Sequence, residues 1–398
     1  MSAIRYWVWL SSVTAASPQG RAALVAHYGD AEQAFLAPMG DYKNVPGVTA
    51  REAALLEKRD LGEADRILEA CLREKISVLT LGDAAYPVRL RNIYAPPAVL
   101  YLRGSLPDVD NVPSAAVIGT RSATPYGRKM AQDIAFEIAA CGGTVISGLT
   151  DGIDRAAAEG CLLAGGRCIG VLGTAHGREG PLQADVIQSG ALVSEYPPGT
   201  RPQNHFFRER NRISAGLSHA VCVVEAPAAS GSLLFAREAL EQGREIFAVP
   251  GNADAENSAG IMTLLKQGAR PAARGWDVLE ELAAVYPGAL KAPEKAAKPR
   301  PARTKADKKP QAPAKKEIDK ENGAGYIDLQ ERVAALSGEQ RRIAEALMAG
   351  DADIDELIET TGLAAAKVLA QLTILEIKGI IRRTGGRRVG LIRSFDRK

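Results

Sequence analysis

The stretch from Arg201 to Arg212, RPQNHFFRERNR, holds the densest set of groups able to act on another molecule. Four arginines stand against Glu209, with Asn204, His205, Asn211 and the pair Phe206-Phe207 among them. Guanidinium groups pair with phosphates while aromatic rings stack on bases, at about 1–3 kcal/mol per base, so this mixture suits a single nucleic-acid strand. A plainer reading makes one phenylalanine a core residue and assigns some arginines to Glu195 and Glu209. That reading serves for one ring but not for the whole cluster.

Small-residue turns recur after apolar runs. Gly119-Thr120-Arg121 closes the run ending at Ile118, and Thr124-Pro125 then forms a helix start that attracts anions. The second glycine of a dinucleotide fingerprint is absent, and Arg121 would fill the space of a pyrophosphate, so a charged partner bound from outside is expected. Ser147-Gly148 opens a second turn, running through Asp151 and Asp154; Asp154 is expected to cap a helix beginning at Arg155 rather than to pair with Asp151 as acid and base. Ser230-Gly231-Ser232 opens a third helix, and Pro250-Gly251-Asn252 makes a fourth turn. Four such turns at strand ends place a binding pocket along the carboxyl edge of a parallel sheet.

The elements that must position these turns are legible as period. Strands are expected at Ala115 to Ile118, Thr144 to Ile146, Cys168 to Leu172, Ala191 to Val193, Ala220 to Val224 and Ile246 to Val249, alternating with helices such as Tyr126 to Ala140 and Leu233 to Gln242. This predicts an α/β, Rossmann-like, doubly wound and mostly parallel sheet over residues 111–286. Residues 1–110 read as short helices, Gln19 to Tyr28, Ala50 to Glu57 and Glu63 to Glu74, with a structural turn at Asn44 to Thr49. Residues 287–330 form an Ala/Pro/Lys linker expected to be disordered, and residues 331–398 read as a winged helix of three short helices and a hairpin.

Composition narrows the classes. The formal net charge is +3, yet Lys291 to Lys316 carries eight lysines and two arginines against Glu294 and Asp307, which leaves the rest of the chain net acidic. Global basicity therefore says nothing about nucleic acid, and local clusters must. Five cysteines without a C-x-x-C pair suggest free thiols in a reducing cytosol, and four scattered histidines make a metal site unexpected. Tyr6 to Leu10 imitates a signal peptide but is too short, and no run reaches the ~18 apolar residues of a membrane helix. A cytoplasmic protein is expected.

Taken in order, VIGTRSATPYG, SGLTDGID, SEYPPG, FRERNRISAGLS, VVEA with SGSL, and GREIFAVPG resemble the signature of the DprA/Smf family across Ser114 to Ala269, and LEIKGIIRRTGG resembles the close of its winged helix. The resemblance implies a homodimer that binds single-stranded DNA without hydrolysing it and helps load the RecA recombinase during natural transformation, with no cofactor. It extends DNA or pocket roles to Arg121, Ser147, Gly148, Phe206 or Phe207, Arg210, Asn211, Arg212, Gly231 and Ser232, and Gly119, Arg208 and Ser230 are expected in the same site. Thr150, Asp151 and Ala158 depart from the family pattern, and Arg208 stands where the family usually has proline. Two other readings compete. One is a phosphoribohydrolase-like enzyme, which would need a glutamate where Leu233-Leu234-Phe235 stands. The other is a winged-helix regulator with a ligand-sensing domain.

Overall fold

The computed structural model describes residues 3–293, 336, 338–377, 380–385 and 388–391. The chain divides into two compact units, residues 1–304 and 305–398. Most of the basic linker and the arginine-rich last residues of the wing lie outside the described residues.

The first unit begins with helices α1 (Ile4–Ser12), α2 (Pro18–Tyr28), α3 (Ala31–Leu36), α4 (Ala50–Leu56) and α5 (Leu61–Arg73). The stretch that imitated a signal peptide is α1, and its Trp7, Val8, Trp9 and Leu10 are buried in the core. The helical reading of residues 1–110 needs correction: β1 (Ser77–Thr80) and β2 (Val99–Gly104), with the short α6 (Val88–Arg91) between them, join the sheet as an antiparallel edge. β1 is short and only partly buried, so its period is weak, whereas Val99 to Leu102 of β2 is a continuous buried apolar run that could have been read as a strand.

After them come β3 (Ser114–Ile118), α7 (Pro125–Ala140), β4 (Thr144–Ser147), α8 (Ile153–Leu163), β5 (Arg167–Val171), α9 (Pro181–Ser189), β6 (Ala191–Ser194), α10 (Phe206–Leu217) and β7 (Ala220–Val223). Then follow α11 (Gly231–Glu241), β8 (Glu245–Ala248), α12 (Ala259–Lys266), β9 (Arg270–Pro271) and α13 (Gly275–Val285). The nine strands lie in the order β1-β2-β6-β5-β4-β3-β7-β8-β9, parallel from β6 to β9. The winding reverses between β3 and β7, the place where an open α/β sheet leaves a crevice.

Both sheet faces are covered. Ala116 and Ile118 of β3 and Val221 and Val223 of β7 face a core shared with the amino-terminal helices. Ala115, Val117, Ala220 and Cys222 face the α7, α8 and α13 side. This two-residue alternation between apolar faces explains why the central strands read as unbroken apolar runs. Among the described residues all five cysteines are free and buried, and no helix is long and apolar enough to cross a membrane.

In the second unit, α14 (Gly338–Ala346), α15 (Ile354–Thr361) and α16 (Ala365–Ile377) pack with a three-stranded sheet, β10-β12-β11, of β10 (Ala352–Asp353), β11 (Ile381–Gly385) and β12 (Arg388–Leu391). Ile343, Leu357, Val368, Leu372 and Val389 share its core. The architecture is a winged helix.

The turn at Asn44 to Thr49 is structural. Gly47 takes φ +90, and Thr49 caps α4 in a capping box with Glu52. The Glu52 carboxylate also accepts from the Ser17 amide (2.8 Å) at the start of α2, so one side chain ties two helix ends. Burial pushes its pKa up, but the hydrogen bonds from Ser17 and Thr49 outweigh that and hold it down at about 2. The folded value lies below the ordinary 4.5, so the stabilisation is present above the ordinary value and is lost as pH falls toward about 2. Glu52→Gln should cost about 2 kcal/mol at neutral pH. Urea unfolding of both proteins should show that gap narrowing below about pH 4; a gap independent of pH would refute the assignment.

Candidate nucleic-acid interface

At the winding reversal, the loops after β3, β4 and β7 enclose a cleft of about 690 Å³ with α10 as one wall and the start of α11 as another. Four arginines (Arg121, Arg208, Arg210 and Arg237) and one carboxylate, Asp154, line it among the described residues. The structure brings Gly119, Arg121, Phe207, Arg208, Arg210, Asn211, Ser230, Gly231 and Ser232 together here. Ser230 caps α11, its Oγ accepting from the Ser232 amide at 3.2 Å while the two hydroxyls meet at 2.7 Å. Gly231 is exposed beside them. This helix end, with amides and hydroxyls on the cleft, is one an anion can approach.

Asp154 is not the helix cap. The β4–α8 turn passes so close to β3 that a side chain on Gly152, at φ +87, would overlap the Thr120 and Arg121 backbone. Gly152 therefore takes the cap position, α8 begins at Ile153, and Asp154 turns inward. Its carboxylate accepts from Thr150 Oγ1 at 3.0 Å and from the amides of Gly119 and Gly148. Desolvation pushes its pKa up, with the Arg210 charge and these hydrogen bonds opposing. Arg210, 6% exposed, is pushed down by desolvation, with Asp154 opposing. Its Nε has no hydrogen-bond partner among the described residues.

Ser147 and Gly148 serve this pair rather than a ligand. Ser147 is buried and its hydroxyl donates to the Asp154 carbonyl at 2.8 Å. A methyl group on Gly148 would overlap the Arg210 guanidinium, so the glycine is the bed on which that side chain lies. Neither residue lines the cleft, because each is covered by what it supports.

The two phenylalanines part company. Phe206 is 0% exposed and stacks on Tyr196 with centroids 3.9 Å apart, which makes it a core residue. Phe207, one position on, is half-buried in the cleft wall with the Arg121 guanidinium 5.6 Å from its ring centroid. Its ring packs on Gly173, where any side chain would crowd it. Arg212 also falls outside this cleft: it is buried against Glu195 at 2.5 Å, and Glu195 holds Arg21 of α2 at 3.1 Å. One of the arginines in the cluster is thus a structural partner of Glu195.

The α7 start, expected to attract an anion, already holds one. Glu225, at the end of β7, accepts from the Thr124 amide (2.9 Å) and the Thr124 hydroxyl. The absence of a side chain at Gly127 makes room for that carboxylate. An acidic residue just past an apolar strand was the available signal for this plug. The Pro250 turn does not line the cleft; its carbonyl accepts from Tyr126.

The family model described as DNA recombination-mediator protein A matches residues 77–283, more than half of the chain, and that of the DprA winged helix domain matches residues 329–387. The chain belongs to the DprA/Smf family. It is similar to the DNA processing protein DprA of Bacillus subtilis, 39% identical over 54% of this chain and 75% of that one. Its similarity to the protein Smf of Synechocystis runs the full length, 30% identical over 96% of this chain and 97% of the relative. Among solved structures it resembles DNA processing protein A of Streptococcus pneumoniae, with TM-score 0.60 and 30% identity over 71% of this chain and 98% of that one.

The adjacent rings give a clean contrast. Phe206→Ala should cost about 3–5 kcal/mol, as a large buried side chain does, and Phe207→Ala less than about half of that. Denaturant midpoints at constant slope measure it; equal losses would mean that both rings are core.

Proposed function

We propose that this DprA/Smf-family chain binds single-stranded DNA along the cleft, without chemistry of its own, and hands the strand to a RecA-type recombinase in the cytoplasm. The observation that carries the reading is Phe207 lying under Arg121, beside the buried cation Arg210 and across from the uncovered start of α11. A ring for a base, fixed cations for the phosphodiester and helix amides for a phosphate are the parts a single strand requires. The name of the Bacillus subtilis relative, DNA processing protein, and that of the family, recombination-mediator protein, agree in kind. On this reading Arg121, Arg208, Arg210 and Asn211 meet the backbone, Phe207 meets a base, and Gly119, Ser230, Gly231 and Ser232 shape the groove.

A hydrolytic reading finds less support. Asp154 is engaged by Thr150 and two amides, and the first turn of α11 carries leucines and a phenylalanine. The recombinase hand-over and a homodimeric state belong to the same proposal; filament assembly on protein-coated single strands tests the first, and sedimentation at several concentrations the second.

Arg121→Ala combined with Arg210→Ala should weaken binding of single-stranded oligonucleotides of any sequence and flatten the slope of log K against log salt by about 0.7 for each phosphate no longer neutralised. An unchanged slope in a folded double variant would remove these residues from the interface. Duplex and single strands should be compared with and without residues 337–398. If that unit carried all the affinity and preferred duplex, the cleft reading would fall.

A further inference from the structure

Beyond the first cleft, α10 bounds a second one of about 1,040 Å³, closed on its far side by α6 and the segment after it. Arg208 lines both clefts, so the two sites meet across a single exposed side chain of α10.

The second cleft is not built for a bare phosphate, because four arginines and four carboxylates line it among the described residues. Most of these charges are already engaged. Asp110 accepts from the amides of Val88 and Arg89, Glu209 from the Tyr196 hydroxyl, and Glu238 from the Gln242 amide. Arg89 and Arg244 donate to carbonyls at the carboxyl end of α10, where cations offset the helix dipole.

Three features stay unused. Arg212, 5% exposed, keeps Nε and Nη1 without partners, and Gln242 keeps Oε1 without one, all buried beneath this cleft. Tyr94, on the opposite wall, is 85% exposed. Unsatisfied donors, an unsatisfied acceptor and a bare aromatic face together match a nucleobase, which presents donors and acceptors on its edge and a π-surface on its face.

We propose that this cleft is a second nucleotide subsite of the same single strand, the base stacking on Tyr94 with its edge toward Gln242 and Arg212, and the linking phosphodiester crossing α10 at Arg208. The inference rests on the reading of the first cleft and extends it from one pocket to a track. It also accounts for the arginine at position 208, whose exposed guanidinium stands at the crossing.

The full-length chain should be titrated with labelled oligothymidylates of about 4 to about 16 nucleotides, the range of single-strand site sizes. Tyr94→Ala, at so exposed a position, should leave the fold and the shortest-strand affinity unchanged and lower long-strand affinity about tenfold, the scale of one base stack removed. Tyr94→Phe, which keeps the ring, should restore it. Arg210→Ala should lose affinity at every length. If Tyr94→Ala binds as the parent at all lengths while Arg210→Ala is impaired, the second subsite is refuted and the first cleft stands. If Tyr94→Ala loses equally at all lengths, there is no separate subsite. Parent-like binding by Arg210→Ala at every length would remove both.

Discussion

A carboxylate and a guanidinium buried together beneath the ends of β3 and β4 hold the site in its shape. Asp154 gathers the amides of Gly119 and Gly148 and the Thr150 hydroxyl into one cluster, which fixes two strand-to-helix turns against each other. Arg210 is the counter-charge of that cluster, lying on Gly148. The two charges act on each other through the interior without a contact ion pair; burying each costs several kcal/mol of lost hydration, and the worth of the arrangement lies in what it orients. Here it orients a cation at the point where the winding reverses and the sheet opens.

The six parallel strands β3 to β8 and their turns were legible because both faces of the sheet are buried there, so each announced itself as an apolar run ending in small residues. The two-residue β9, Arg270–Pro271, carries no such run and was missed. Position along the helix was not legible. Phe206 and Phe207 are chemically identical neighbours, and about 100° of helical rotation sends one to Tyr196 and the other to Arg121. No composition rule separates them without the partners. Arg212 likewise reads as a DNA contact until the position of Glu195 is known, although the possibility of that pairing was visible in the sequence.

The departures from the family pattern acquire a physical setting. Thr150 supplies a hydroxyl to Asp154, so the turn retains a polar tie at that place. Asp151 is exposed and outside the lining of the cleft, which explains how an acid is tolerated beside a site proposed for a polyanion. Ala158 is fully buried in the core on the α7 and α8 side and does not line the cleft.

Glu225 limits what the start of α7 can bind. In a nucleotide-binding relative of this architecture, the helix after the first strand waits for a phosphate, and its occupancy follows the level of that metabolite. Here the anion at that helix start is covalently part of the chain, so its effective concentration is constant and a diffusible competitor must displace a tethered group. With that helix start occupied from within, the opening left at the winding reversal is the cleft between α10 and the start of α11.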